Sequence, residues 1–204
     1  MLNLEAQPDQ SVFSSVVRSP RLILRPYSEV RDLEDIASML SDPGIADAIG
    51  VSAGAFSVEN VRRSKQARVD SGVAGDWTIF FSADDAERFV GEAGIADWDS
   101  LNHIVEIFAS IHPACGGKGF GVEAVSALMK HIFRSDPIAT VRVQTLQRNL
   151  KALRLAGKLG FRESGRRVAL PDPVRGFKGG TAVFLECRSH QFRLPTEGTE
   201  KTRL

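Results

Sequence analysis

The sequence predicts an α/β protein built on a single mixed, mostly antiparallel sheet that is flanked by helices. Segments with the two-residue period of a half-buried strand alternate along the chain with segments of helical period. Their order is βααβββαβαββ, which suits one sheet with helices against it. The 204 residues, of which 43% are hydrophobic, are enough to bury one core.

The first 70 residues predict one strand and two helices. Residues 21–25 alternate as a short strand that a proline ends. Residues 28–40 follow, with a serine suited to the N-cap position and apolar residues at helical spacing. Residues 44–56 show no period and are predicted to be irregular. Residues 57–70 then predict a second, more polar helix.

The middle of the chain predicts a hairpin, a central strand and a helix. Residues 77–81 and 89–96 are two apolar strands separated by an acidic turn at 83–85. Residues 105–111 alternate between apolar and polar side chains until a proline ends the strand. Four glycines lie between positions 116 and 121, and apolar residues then recur at helical spacing.

The last third of the chain predicts three strands and one helix. Residues 138–144 and 161–168 are strands, and a short helix that ends at Gly160 lies between them. A loop rich in proline and glycine precedes the last strand, at residues 181–187.

We expect one folded domain at residues 20–193. The segment 1–19 and the tail 194–204 are polar and show no sustained period, so we expect both to be flexible.

Composition and charge restrict the functional classes. Lys and Arg number 26 against 25 Asp and Glu, so the bulk charge attracts neither nucleic acid nor a membrane surface. Neither a leader sequence nor a long apolar run is recognisable, which predicts a cytoplasmic protein without a membrane partner. The two cysteines stand far apart and no histidine cluster accompanies them, so we predict neither a disulfide nor a metal site.

The glycine cluster lies between a strand and a helix, and this order indicates a phosphate site. Glycines let backbone N–H groups converge at a helix N-terminus, where unpaired donors and the helix dipole favour an anion. Residues 119–124 also fit the dinucleotide pattern G-x-G-x-x-A, but that site needs an acidic residue where the next strand ends, at Gln144 and Thr145. The nucleotide P-loop sequence is missing as well. A different phosphate-bearing cofactor is therefore predicted.

Two separated motifs resemble the GNAT superfamily of acetyl-CoA-dependent N-acetyltransferases. They are GKGFGVEA at residues 117–124 and NLKALRLAGKLGF at residues 149–161. With RLILRP at residues 21–26, they resemble most closely the Rim-type branch that includes the ribosomal-protein alanine acetyltransferases. The resemblance implies a GNAT-like fold and an enzyme that moves an acetyl group from acetyl-CoA to a primary amine by direct attack on the thioester.

The resemblance also implies which residues bind the acetyl-CoA cosubstrate. In the family, amides of the glycine loop hold the pyrophosphate. The strand before the loop pairs with the pantetheine arm and directs an N–H group at the thioester carbonyl. The implied cofactor-binding residues are Ser110, Ile111, His112, Gly117, Lys118, Gly119, Phe120, Gly121, Val122 and Asn149.

A catalytic base is required, because an alkyl amine with a pKa of about 10 is mostly protonated at neutral pH. Glu106 is the candidate, since it stands where the family often has a carboxylate, and burial would raise its pKa. The alternative is a surface or salt-bridged glutamate. The proton donor to the departing thiolate stays open: relatives use residues at positions held here by Ala152 and Ala156, and the one tyrosine is Tyr27.

Two other functions are compatible with the sequence. The lack of ionisable groups at several family positions fits a coenzyme A-binding sensor or regulatory module. The basic stripe of Lys151, Arg154 and Lys158 fits an RNA- or ribosome-docking protein, although a solvated helix face has the same pattern. The acceptor, a protein N-terminus or a small amine, is not identified by the sequence. The oligomeric state is open as well, with a homodimer among the options.

Overall fold

The computed structural model describes residues 14–52, 55–71, 75–83, 86–134, 138–170 and 179–194. The described residues form these strands and helices: β1 (Val17–Arg18), β2 (Leu22–Pro26), α1 (Glu29–Leu40), α2 (Pro43–Ile49), α3 (Val58–Asp70), β3 (Asp76–Ala83), β4 (Ala86–Asp99), β5 (Ile104–Ile111), α4 (Phe120–Ile132), β6 (Thr140–Leu146), α5 (Leu150–Lys158), β7 (Arg162–Leu170) and β8 (Gly180–Arg188). None of these helices is long and apolar enough to cross a membrane.

All eight strands belong to one sheet, in the order β1-β2-β3-β4-β5-β6-β8-β7. Every neighbouring pair is antiparallel except β5 and β6, which are parallel. The single mixed, mostly antiparallel sheet that the sequence predicts is thus confirmed. The predicted acidic turn falls partly on residues 84–85, and most of the late loop falls on 171–178, both outside the described part of the chain.

The sheet has a different core on each face. The larger core packs α4 and α5 against the strands and includes Leu128, Leu159 and Ile107. The smaller core joins α1 and α3 on the other face, through residues such as Ile36 and Val61. This layering follows from the sequence because each of these helices has one apolar stripe to bury.

Two elements were not predicted from the sequence. The helix α2 lies in a segment predicted to be irregular, and its start is set by Asp42, whose carboxylate accepts from the N–H groups of Gly44 and Ile45 at 2.8 and 3.2 Å. The strand β1 lies in the segment expected to be flexible, and it pairs with β2. Both elements are too short to show a hydrophobic period, so caps and tertiary pairing decide them.

The parallel pair β5 and β6 is short, and the two strands part after it. Their register contains three residue pairs and ends at Glu106 opposite Arg142. Beyond that point β5 continues along β4 as far as Ile111, whereas β6 continues along β8 as far as Leu146. The inner edges of both strands are therefore unpaired with each other, which leaves an opening in the middle of the sheet.

A buried charge cluster holds α3 against the sheet. Lys65 is only 5% exposed, and its Nζ lies 2.7 Å from Oε2 of Glu92, which is 4% exposed. The same Nζ lies 3.4 Å from Oδ2 of Asp76, which also pairs with Arg68 at 2.9 Å. Because α3 buries little apolar surface, these ion pairs are its main attachment to β3 and β4.

We expect Lys65→Ala to lower the free energy of unfolding by roughly 3–5 kcal/mol, because it leaves the Glu92 carboxylate buried without a cation. Urea denaturation followed by circular dichroism measures the change. The matched control is Arg63→Ala on the same helix, whose side chain is 70% exposed and should contribute at most about 1 kcal/mol. Equal losses in the two variants would mean that the buried cluster does not hold α3.

Candidate active site

The glycine loop follows directly from β5. One turn of 3-10 helix, Pro113–Cys115, leads into residues 116–119 and then into α4. Gly119 caps this helix with a φ of 78°, a left-handed value that glycine adopts without strain. Because a glycine cap has no side chain, no side-chain hydrogen bond covers the N–H groups in the first turn of α4. This end of the helix can therefore hold an anion.

The predicted loop residues differ in burial. Gly117, Lys118 and Gly119 are exposed, Gly121 and Val122 are half-buried, and Phe120 is buried. Gly121 also allows a close approach: a Cβ atom there would lie 3.0 Å from Cδ1 of Leu155 and 3.5 Å from Cγ1 of Ile111. The first turn of α4 thus packs closely against both α5 and the end of β5.

An arginine from the other end of the chain fixes the loop. The carboxylate of Glu123, in the first turn of α4, accepts from Nε of Arg21 at 2.7 Å, from the Arg21 backbone N–H at 2.8 Å and from Oγ of Ser19 at 2.7 Å. Nη2 of Arg21 also donates to the carbonyl of Lys118 at 3.1 Å. Sequence reasoning missed this contact, because a residue pair about 100 positions apart leaves no local pattern.

The backbone of β5 presents alternate N–H groups to the opening. The N–H of His112 donates to the carbonyl of Val90 on β4 at 2.8 Å. Because backbone groups alternate along an antiparallel pair, the N–H of Ile111 then faces away from β4, as does that of Ala109. On that side β6 no longer pairs with β5, because their register ends at Glu106.

This pattern bears on the amides that the resemblance implies for the thioester carbonyl. The N–H of His112 is engaged with β4 and is not available to a thioester carbonyl, and the alternation turns Ser110 toward β4 as well. The His112 ring is also engaged, since its Nδ1 accepts from the N–H of Ala114 at 3.2 Å. The N–H groups of Ile111 and Ala109 face the opening instead. The sequence period shows which side chains share a face but not which amides are paired.

Glu106 lies at the point where β5 and β6 part. It stands opposite Arg142 on β6 and opposite Asp97 on β4. Burial raises the pKa of the Glu106 carboxyl; Arg142 opposes this rise, Asp97 adds to it, and the net direction is upward. Arg142 itself is bound to Glu186, with Nη2 and Nε at 2.8 and 3.0 Å from Oε1.

The carboxylate of Glu106 is thus half-buried, and no cation in the described part of the chain lies within ion-pair distance of it. It matches neither a surface glutamate nor a salt-bridged one. A carboxylate in this setting has an upward-shifted pKa and a free acceptor, which are the two properties of a general base.

Asn149 has a structural function in α5. Its Oδ1 accepts from the N–H of Ala152 at 3.1 Å and caps the helix, while its Nδ2 donates to the carbonyl of Ala48 in α2 at 3.4 Å. Further along the helix, Ala156 is buried. Any contact between Asn149 and a cofactor would therefore use a side chain already oriented by these two bonds.

Tyr27 directly follows β2, which is three strands from β5 in the sheet. Its ring centroid lies 4.7 Å from Nζ of Lys65, and its buried hydroxyl has no hydrogen-bond partner among the residues that the structure describes. Burial, together with Glu29 and nearby aspartates, raises the pKa of Tyr27 to about 12.

The remaining candidates on the surface are less specific. Lys151, Arg154 and Lys158 are all exposed on α5, as a solvated helix face would be. Within the described ranges, no group of three or more His, Cys, Asp or Glu side chains could hold a metal ion.

Known structures share this fold. A spermidine N-acetyltransferase from Vibrio cholerae, in complex with CoA and spermine, aligns with a TM-score of 0.70 at 15% identity, over 85% of this chain and 98% of its own. RimL, a ribosomal L7/L12 alpha-N-protein acetyltransferase in complex with coenzyme A, aligns with a TM-score of 0.70 at 17% identity, over 85% and 98%. RimJ from Mycobacterium smegmatis, in complex with CoA-disulfide, gives 0.70 at 16%, over 91% of both chains.

The sequence itself carries the family assignment. No curated protein sequence matches the chain. However, residues 21–162 match the family model described as the acetyltransferase (GNAT) domain. The match starts at Arg21 and includes Glu106, the glycine loop and Asn149, so it spans the features from which the resemblance was inferred. The chain therefore belongs to the GNAT family of acetyltransferases.

Proposed function

We propose that this chain acetylates a primary amine with acetyl-CoA as the acetyl donor, and that Glu106 is the catalytic base. The observation that carries the proposal is the opening between β5 and β6. Glu106 lies where the two strands part, and the Ile111 amide lies further along the free edge of β5. The first turn of α4, whose N–H groups have no side-chain cap, lies beyond the end of β5. A phosphate site, an oxyanion donor and a base are the three elements that this transfer needs.

The open edge suits an extended cofactor arm. Acetyl-CoA supplies an activated thioester, and its pantetheine arm offers amide groups that can pair with a strand edge. The amides of Gly117 through Val122 would bind the pyrophosphate, and the N–H groups of Ala109 and Ile111 would face the arm. Because β5 is paired with β4 along its other edge, these N–H groups are fixed before the substrate binds. They would therefore stabilise the developing oxyanion without reorganising.

Glu106 is placed to remove the proton from the amine. The side chains of Glu106 and Phe108 lie on the face of the sheet opposite to Val105 and Ile107, which belong to the core with α4. An acceptor that approaches from the α1 and α3 side therefore meets Glu106 directly or through one water. The raised pKa makes the carboxylate a stronger base than an exposed glutamate.

The acceptor is a primary amine of one of two sizes. One neighbour in fold is a spermidine N-acetyltransferase bound to spermine, and another acts on the N-terminus of a ribosomal protein. Both acceptors offer a primary amine to the thioester, so both support the reaction class. Because the sequence identities are low, these two proteins support the reaction class but do not favour one acceptor over the other.

The direct test is thiol release from acetyl-CoA across a panel of primary amines. We expect turnover with at least one amine, and Glu106→Gln to lower kcat by roughly 100-fold or more with little change in acetyl-CoA affinity. Glu34→Gln, an exposed glutamate on α1, is the matched control and should retain activity. Equal kcat values in the Glu106→Gln variant and the parent would exclude Glu106 as the base.

A second prediction follows from the raised pKa of Glu106. Because the folded state holds the proton more tightly than the unfolded state, the free energy of unfolding falls as the pH rises from the ordinary value of 4.5 through the folded pKa. Glu106→Gln should therefore unfold at a higher temperature than the parent at pH 7. The difference should disappear below pH 4.5. A variant that is less stable than the parent at pH 7 would contradict the shift.

Arg21 provides a test of the glycine loop. Arg21→Ala removes the side-chain contacts to Glu123 and Lys118 but keeps the backbone contact to Glu123. We expect acetyl-CoA affinity to fall roughly tenfold, since each charged hydrogen bond is worth about 1.5–3 kcal/mol before solvent screening. Isothermal titration calorimetry measures the dissociation constant. The control is Arg18→Ala on β1, an exposed arginine. Unchanged affinity in Arg21→Ala would show that the loop holds its shape without this contact.

A further inference from the structure

The edge strand β7 is irregular in its pairing with β8. Glu163 pairs with Leu185 and Arg167 pairs with Val183, so the three residues between them stand opposite a single residue of β8. Gly165 has a φ of 82°, which favours glycine, and the Ser164 hydroxyl donates to the carbonyl of β8 residue 184 at 3.2 Å. Such bulges redirect a side chain away from its regular position.

The bulge places Arg166 over an aromatic ring. The Cζ atom of Arg166 lies 4.3 Å from the ring centroid of Phe184, and its backbone N–H donates to Oγ of Ser164 at 3.3 Å. Stacking of this kind orients a guanidinium group before any ligand arrives. Both the backbone N–H and the guanidinium group of Arg166 are thus held in place.

Arg166 and Glu106 share one face of the sheet. Val183 and Leu185 belong to the core with α4 and α5, so Phe184 between them points to the other face. Phe184 pairs with Gln144, two residues beyond Arg142, which stands opposite Glu106. The guanidinium therefore lies across the opening from Glu106, and its charge counteracts part of the rise in the pKa of that carboxyl.

Arg166 is a basic group on this face that has no acidic partner among the described residues. Arg142 is bound to Glu186, and the adjacent Arg167 is bound to Glu163 at 2.8 Å. Arg166 is exposed, and no carboxylate among the described residues pairs with it. An acceptor at Glu106 would therefore meet one carboxylate and one unpaired guanidinium.

We propose that Arg166 binds a carboxylate of the acceptor, so that the preferred acceptor carries a carboxylate a few bonds from its amine. The proposal rests on the proposed function. A guanidinium binds a carboxylate through two parallel hydrogen bonds, which no neutral or cationic group can replace. Amino acids and peptides with an acidic residue near the N-terminus have this chemistry. A polyamine brings only positive charge to Arg166 and is disfavoured.

The test compares acceptors that differ only in the carboxylate. The pairs are 4-aminobutyrate against butylamine, and short peptides with Asp against Asn at the second position, with spermidine as the polycation. Free amino acids and peptides are separate arms that distinguish the two sources of the carboxylate. We expect kcat/KM in the parent to be at least roughly tenfold higher for the acidic member of one of these pairs.

Three variants separate binding of the carboxylate from a general effect. Arg166→Gln should lower kcat/KM roughly 10- to 100-fold for the acidic acceptor, mainly through KM, and leave the neutral member and acetyl-CoA affinity nearly unchanged. Arg166→Lys should recover part of the loss, because it keeps the charge but not the paired geometry. Arg167→Gln, the neighbouring arginine, should behave as the parent.

Two results would overturn the proposal. Turnover without preference for the acidic member, or an equal loss for both members in Arg166→Gln, would exclude carboxylate recognition while acetyl transfer stands. Absence of thiol release with every acceptor would overturn the proposed function and this proposal together.

Discussion

The parting of β5 and β6 is the constraint on which the rest of the site depends. Each strand is fully paired on its outer side, β5 with β4 and β6 with β8, and they share only three residue pairs. The register shift between Ile95 and Asp97 on β4 coincides with the level at which they part, and bulges increase local twist. Backbone groups on the two inner edges require other partners. An extended ligand arm provides such partners, and the glycine loop and α5 both start at the same end of the opening.

Charged side chains on the face of the sheet that packs against α1 and α3 fall into two kinds. Lys65 with Glu92, and Arg142 with Glu186, are closed pairs whose members satisfy each other inside the fold. Pairs of this kind hold elements together, since a buried charge without a partner is costly. Glu106 and Arg166 have no such partner in the described part of the chain. The fold orients them but leaves their hydrogen-bonding capacity unused, which is the state expected of groups that meet a substrate.

The sequence predicted the parts of the site that depend on local signals. The alternation of β5 and the glycines before α4 are patterns among residues close together in the chain, so period and composition reveal them. It could not predict features set by register. Which β5 amides face the opening depends on the bond between His112 and Val90, and the loop depends on Arg21, which lies just before β2. The helix α2 was missed because caps and not a hydrophobic period define it.

The stability cost of Glu106 bears on the choice between an enzyme and a coenzyme A-binding module. Glu123 also lies near the loop, but its carboxylate accepts three hydrogen bonds and stabilises the fold. Glu106 is half-buried with a raised pKa, so its ionised form opposes folding at neutral pH. A module that only bound coenzyme A would need the loop, the β5 edge and Glu123, and it would gain stability with glutamine at position 106. A destabilising carboxylate at the start of the opening supports the proposal that Glu106 accepts a proton there, as acetyl transfer to an amine requires.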